Sequence, residues 1–131
     1  MGTDAAPVNE VEGAVMALRR FDRDCQVLLV GDEGPINEAL ALHSDFPRER
    51  ISVIHAPDRI IPGEAPAAAV RRKPQSSIVV GMKLQKDGES DAFVSAGSTG
   101  AVMAASMLFL RPLTGVDRPA IGTVLPTSGR P

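Results

Sequence analysis

The sequence predicts an α/β fold built on a parallel sheet. Short runs rich in Val, Ile and Leu alternate with stretches of helical periodicity, as a strand–helix–strand chain requires. The run CQVLLV is apolar at consecutive positions rather than every second one, the mark of a strand covered on both faces. Gly, Pro and small polar residues punctuate the run ends, as in VGDE, HAP and SAGSTG. At 131 residues the chain has room for one domain with a core, or for part of a larger one.

From Pro7, the residues Val8, Val11, Val15, Leu18 and Phe21 recur at helical spacing, with Glu10 and Glu12 early and Arg19 and Arg20 late, matching the helix dipole. A strand is expected over residues 25–30, a Gly31-Asp32 turn after it, and a short helix over residues 35–42. ISVIHAP, from Ile51, reads as a second strand. The loop DRIIPGEAP leads to an alanine-rich helical turn over residues 67–73, halted by Pro74. SSIVVGMKLQKDG has the β-branched residues of a strand, but Ser76 and Ser77 as caps with Met82, Leu84 and Lys86 favour a helix. DAFVSA is expected as a third strand, residues 98–110 as a buried helix, and AIGTVLP (residues 120–126) as a fourth strand.

Composition removes several function classes. A net charge of −2 and 3% aromatics, all Phe, offer a nucleic acid neither electrostatic attraction nor a stacking platform. The lone Cys25 excludes an internal disulfide framework and points to a reducing cytoplasm, while His43 and His55 lack zinc spacing and no carboxylate pair is spaced for a metal, so none is expected. The N-terminus lacks the basic and apolar regions of a secretory signal. The most apolar window, residues 101–110, is much shorter than the roughly 20 residues a bilayer span needs, so no transmembrane segment is expected.

Ligands of parallel sheets sit beyond the carboxyl ends of strands, where GDE (residues 31–33), HAP (residues 55–57) and SAGSTG (residues 95–100) fall. A glycine turn entering a helix makes an anion site, because the first helical N–H groups lack partners and carry the positive end of the dipole. Neither GxGxxG nor a P-loop lysine is present, so no dinucleotide or ATP cofactor is indicated. Close packing of the helix on the sheet accounts for the same small residues, and spacing does not separate the two readings.

MGTDAAP at Met1, LLVGDE at Leu28, ISVIHAPDRI at Ile51, AAAVRRKPQSSIVVGMKLQKDGESDAFVSAGSTGAVMAAS from Ala67 and DRPAIGTVLPT at Asp117 together closely resemble the PlsX-type phosphate acyltransferases, in order and spacing, along nearly the whole chain. The resemblance implies a three-layer Rossmann-like fold similar to isocitrate and isopropylmalate dehydrogenases, of which this is the N-terminal part. It implies transfer of a fatty acyl group from acyl carrier protein to inorganic phosphate, giving acyl phosphate for phospholipid synthesis. Family members carry a short apolar strand before the motif that here starts at Met1, and continue well past LPTSGRP. Residues 1–131 are therefore expected to be a partial domain, lacking that first strand and the C-terminal part that bears the dimer contacts, much of the cleft and any peripheral membrane association. Where Ser98 stands, the family more often has Asn. Two other readings stay open: a non-catalytic piece that binds phosphate or acyl carrier protein, and an NAD-dependent dehydrogenase of the related fold, although the arginine clusters of the latter are not evident.

Attack of phosphate on a thioester needs no protein nucleophile, since phosphate is largely dianionic near neutrality. The protein must supply an anion cradle, stabilisation of the tetrahedral oxyanion and a proton for the departing thiolate. The cradle is expected at Ser95, Gly97, Ser98, Thr99 and Gly100, with Gly2 facing the same cleft. Asp4 and His55 are the candidate catalytic groups; the alternatives are an N-cap for Asp4 and a structural hydrogen bond for His55. Arg71, Arg72 and Lys73 are candidate contacts to the anion or to the carrier protein's acidic surface, or else a solvated helix end.

Overall fold

The computed structural model describes residues 2–21, 25–117 and 119–122. Its elements are α1 (Val8–Arg20), β1 (Val27–Gly31), α2 (Glu33–Ala41), a 3-10 turn at Arg48–Arg50, β2 (Ile51–His55), α3 (Pro66–Arg72), α4 (Ser77–Lys86) and α5 (Thr99–Phe109). β1 and β2 pair in parallel, in a register running from Val27 opposite Ile51 to Gly31 opposite His55. The Ala56 amide adds one further bond, to the Gly31 carbonyl at 2.7 Å. The architecture is α/β with a small parallel sheet.

Each helix sits where sequence pattern and backbone chemistry agree. α1 starts behind Pro7 and turns Val11, Ala14, Val15 and Leu18 inward, one apolar stripe at helical spacing. That stripe meets Leu29 of β1, Ile36, Ala39 and Leu40 of α2, and Ile51 of β2. A second cluster joins Ile60, from the loop after β2, to Ala69 and Val70 of α3, Ile78, Val79 and Met82 of α4, and Ala101 and Ala105 of α5. Alanine at both buried α5 positions lets its backbone approach α3 and α4 closely, and Phe93 covers Gly81, where an added Cβ would fall 2.7 Å from the ring Cδ2. The ambiguous SSIVVGMKLQKDG segment is helical, because helical geometry puts Ile78, Val79 and Met82 together into this cluster.

Three expectations need correction. DAFVSA forms no strand: residues 91–97 join no ladder and Val94 is 93% exposed. β-propensity cannot make a strand without a neighbour's N–H and C=O groups, and residues 91–97 lie in ladder register with neither β1 nor β2. α5 is not buried all round; Ala101 and Ala105 line its inner face, while Met107 and Leu108 are 46% and 50% exposed. Nor are the strands covered evenly, since Ser52 and His55 are exposed and only Leu29, Gly31 and Ile51 are fully buried. Of the expected fourth strand, Ala120 to Gly122 carry no strand and residues 123–126 lie outside the described residues.

Candidate functional site

The glycine motif ends at the N-terminus of α5. Ser98 is the N-cap: its Oγ accepts the Ala101 amide at 3.3 Å, and its carbonyl takes the Val102 amide at 3.0 Å. Ser95 Oγ accepts the Gly97 amide at 3.1 Å, which closes the turn entering the helix. The amides of Thr99 and Gly100, the first of the helix, take no protein acceptor among the described residues, and both residues are exposed. A helix start in this condition presents N–H groups and a positive dipole end to an anion. Gly100 is required by space, for a Cβ there would lie 2.9 Å from Cγ of Pro66, the first residue of α3.

Gly2 reaches this turn from the other end of the chain. A Cβ on Gly2 would strike the Gly97 Cα and lie 2.6 Å from the Gly97 nitrogen, so the two backbones are in direct contact. The Gly2 amide itself donates to Glu10 Oε1 at 3.0 Å, as does the Thr3 amide at 3.1 Å. The Thr3 hydroxyl adds contacts of 3.0 and 3.1 Å to the two carboxylate oxygens. Burial acts to raise the Glu10 pKa, but these hydrogen bonds outweigh it and hold the carboxyl below its ordinary value. Arg59, in the loop after β2, donates from Nη2 to the Thr3 carbonyl at 2.7 Å.

The other expected site residues make no hydrogen bond to this turn among the described residues. Asp4 is exposed and does not cap α1, whose N-cap is Pro7 with no side-chain bond. His55 ends β2, and its Nδ1 accepts the Glu33 amide at 3.3 Å, serving the first turn of α2. Arg71 and Arg72 sit at the end of α3 opposite to Pro66, the residue that meets Gly100, and Arg72 Nε turns back to the Ala68 carbonyl at 3.4 Å. Lys73 is engaged with Glu64 at 2.6 Å and with the Arg59 carbonyl at 2.8 Å. The hydrogen bond from Lys73, then that from the Ile61 amide, holds the Glu64 carboxyl below its ordinary value.

The contacts thus unite Gly2 with Gly97 and add three residues that sequence reasoning missed, Thr3, Glu10 and Arg59. Glu10 carried only the general signal of an acid in a first helical turn. A cleft of about 230 Å³ opens at the carboxyl ends of β1 and β2, with Pro7, Gly31, Asp32, Ala56, Arg59 and Ser77 among its walls. The glycine motif does not line it. No group of three or more His, Cys, Asp and Glu suited to a metal occurs among the described residues. No helix among them is long and apolar enough to cross a membrane.

These elements define a parallel-sheet α/β chain in which a glycine turn opens into the N-terminus of a helix. This chain belongs to the fatty acid synthesis protein family, whose family model matches residues 1–131. It is similar to the phosphate acyltransferase of Salinibacter ruber, 47% identical over 97% of this chain and 38% of that protein. The phosphate acyltransferases of Desulfitobacterium hafniense (50% identical over 97% of this chain) and Koribacter versatilis (45% over 99%) match it over 37% and 36% of their own lengths. The chain therefore spans a little over a third of the curated relatives it matches.

Proposed function

We propose that this chain carries the phosphate-binding portion of a phosphate acyltransferase, which converts an acyl–acyl carrier protein and inorganic phosphate to acyl phosphate and free carrier protein. The observation that carries the reading is the pair of amides, Thr99 and Gly100, at the start of α5, which have no acceptor among the described residues, in a chain whose relatives are named phosphate acyltransferases. A phosphate oxygen attacks the thioester carbonyl carbon, a tetrahedral oxyanion forms, and the C–S bond breaks as the thiolate takes a proton. The amides orient the dianion, which brings its own nucleophilic oxygen, so positioning replaces a protein nucleophile.

Magnitudes limit what the helix start does alone. It contributes about 0.3–1 kcal/mol to an anion, and up to about 2 when partly buried, whereas micromolar binding needs about 8 kcal/mol. Arg59, held on Thr3 beside the Gly2–Gly97 contact, supplies positive charge. The remaining affinity is assigned to the part of the relatives' length that this chain does not span. That part also accounts for a complete Rossmann-like fold of the isocitrate dehydrogenase type, a homodimer and action in the cytoplasm at a membrane surface. Exposed Arg71 and Arg72 suit the acidic surface of a carrier protein. Asp4 and His55 are the groups for the thiolate's proton, and Asp4→Asn set beside His55→Gln shows which one the pH profile follows.

The test is Ser98→Asp. Asp is as good an N-cap as Ser, so the fold is kept while a negative charge enters the cradle. In the chain extended to its relatives' length, phosphate-dependent release of the carrier protein's thiol is expected from the wild type and lost in the variant, with an unchanged unfolding midpoint. Unchanged product or phosphate binding in Ser98→Asp places the cradle elsewhere. A second reading, phosphate binding without turnover, is favoured by the engagement of His55 Nδ1 with the Glu33 amide, and predicts binding that Ser98→Asp abolishes with no phosphate-dependent thiol release from either chain.

A further inference from the structure

Glu10 is the third residue of α1, the position from which a glutamate ordinarily reaches back to the backbone N–H of the N-cap. Here the N-cap is Pro7, which has no N–H to offer. The carboxylate instead spans the turn and takes the amides of Gly2 and Thr3 and the Thr3 hydroxyl, at 3.0–3.1 Å throughout. Gly2, Thr3 and Glu10 are all partly buried, so these bonds are only partly exchanged with water. The backbone so held is the one whose Gly2 abuts Gly97, immediately ahead of the Ser98 cap.

We infer that Glu10 is a positioning residue for the phosphate cradle: by clamping the Gly2–Thr3 turn it presses Gly2 against Gly97 and fixes the loop from which the Thr99 and Gly100 amides project. The inference rests on the cradle proposed above. Glu10 is no ligand of the anion, since a carboxylate and a phosphate dianion repel. That opposition gives the test its power. If Glu10 acts only through its charge, removing the charge tightens phosphate binding; if it positions the loop, removing it weakens binding.

The experiment titrates inorganic phosphate into the 131-residue chain and follows the backbone amide resonances. In the wild type, Thr99 and Gly100 shift saturably; no shift there ends the cradle reading and the inference with it. Given that shift, Glu10→Gln, which keeps an acceptor oxygen but loses the charge that strengthens these bonds, is expected to weaken phosphate binding roughly 5- to 10-fold, the scale of one ordinary hydrogen bond, with the Gly2 and Thr3 resonances displaced. Glu12→Gln, the same charge change at an exposed site on α1, is expected to leave affinity unchanged or slightly tighter. Thr3→Val keeps the charge, removes the hydroxyl bonds, and is expected to weaken phosphate about twofold; it decides the matter if Glu10→Gln fails to fold. Equal or tighter binding in folded Glu10→Gln overturns the inference. So does an equal loss in Glu12→Gln, or an unchanged Thr3→Val where that variant decides.

Discussion

Gly2 and Gly97 meet backbone to backbone, a contact that a side chain at Gly2 would break. Gly2→Ala is therefore expected to destabilise the chain by about 1–3 kcal/mol, as overpacking does, with the loss read from urea denaturation. Glycines around a turn are visible in a sequence; which two of them touch is not, because Gly2 and Gly97 lie far apart along it. The same distance hid the role of Arg59. Glu10 also makes a pH prediction with a definite sign. Its folded-state pKa lies below its ordinary value, so its contribution is complete above that ordinary value and lost as pH falls through the lowered one. Hydrogen exchange at the Gly2 and Thr3 amides should gain protection between low pH and about pH 5, after allowance for intrinsic rates. In Glu10→Gln that step should vanish. Glu64 is shifted the same way, but its exposure leaves the Lys73 pair little weight in stability.

The helices were legible because period and chemistry agreed along each of them. The stripe from Val8 to Phe21 foretold α1 within a residue or two, and cap serines with later Lys and Met decided α4. DAFVSA was misleading, since its residues suit a strand but a strand needs a partner. α5 shows the limit from another side. An alanine-rich apolar helix has no polar face to reveal which side is buried. The structure chooses Ala101 and Ala105, so Ala105→Leu should cost about 1–3 kcal/mol through overpacking. Leu108→Ala, at a half-exposed position, should change stability by no more than about 0.5 kcal/mol. Thermal unfolding of both variants compares the faces directly. Ser98→Ala should cost about 1 kcal/mol through the lost cap.

At the scale of the whole molecule, the described residues form two apolar clusters, one of them built onto a two-stranded parallel sheet, and α4 touches β1. The α/β class was legible from alternation alone, and the candidate cradle from small residues at a junction into a helix. What alternation could not show is that the N-terminal motif, the loop after β2 and the α5 turn converge, because tertiary contacts create that convergence. β2 sets His55 Nδ1 on the first turn of α2, and Arg71 and Arg72 stand at the end of α3 opposite to the Pro66 that meets Gly100. The proposed cradle rests on main-chain groups held by distant residues more than on side chains aimed at a ligand. The most direct measurement is a crystal structure of the chain soaked with phosphate. The account predicts a phosphate within about 3 Å of both the Thr99 and Gly100 nitrogens, the normal range for N–H donors to an anion. Phosphate bound only beside Arg71–Arg72, or those two amides turned onto protein carbonyls, would contradict it.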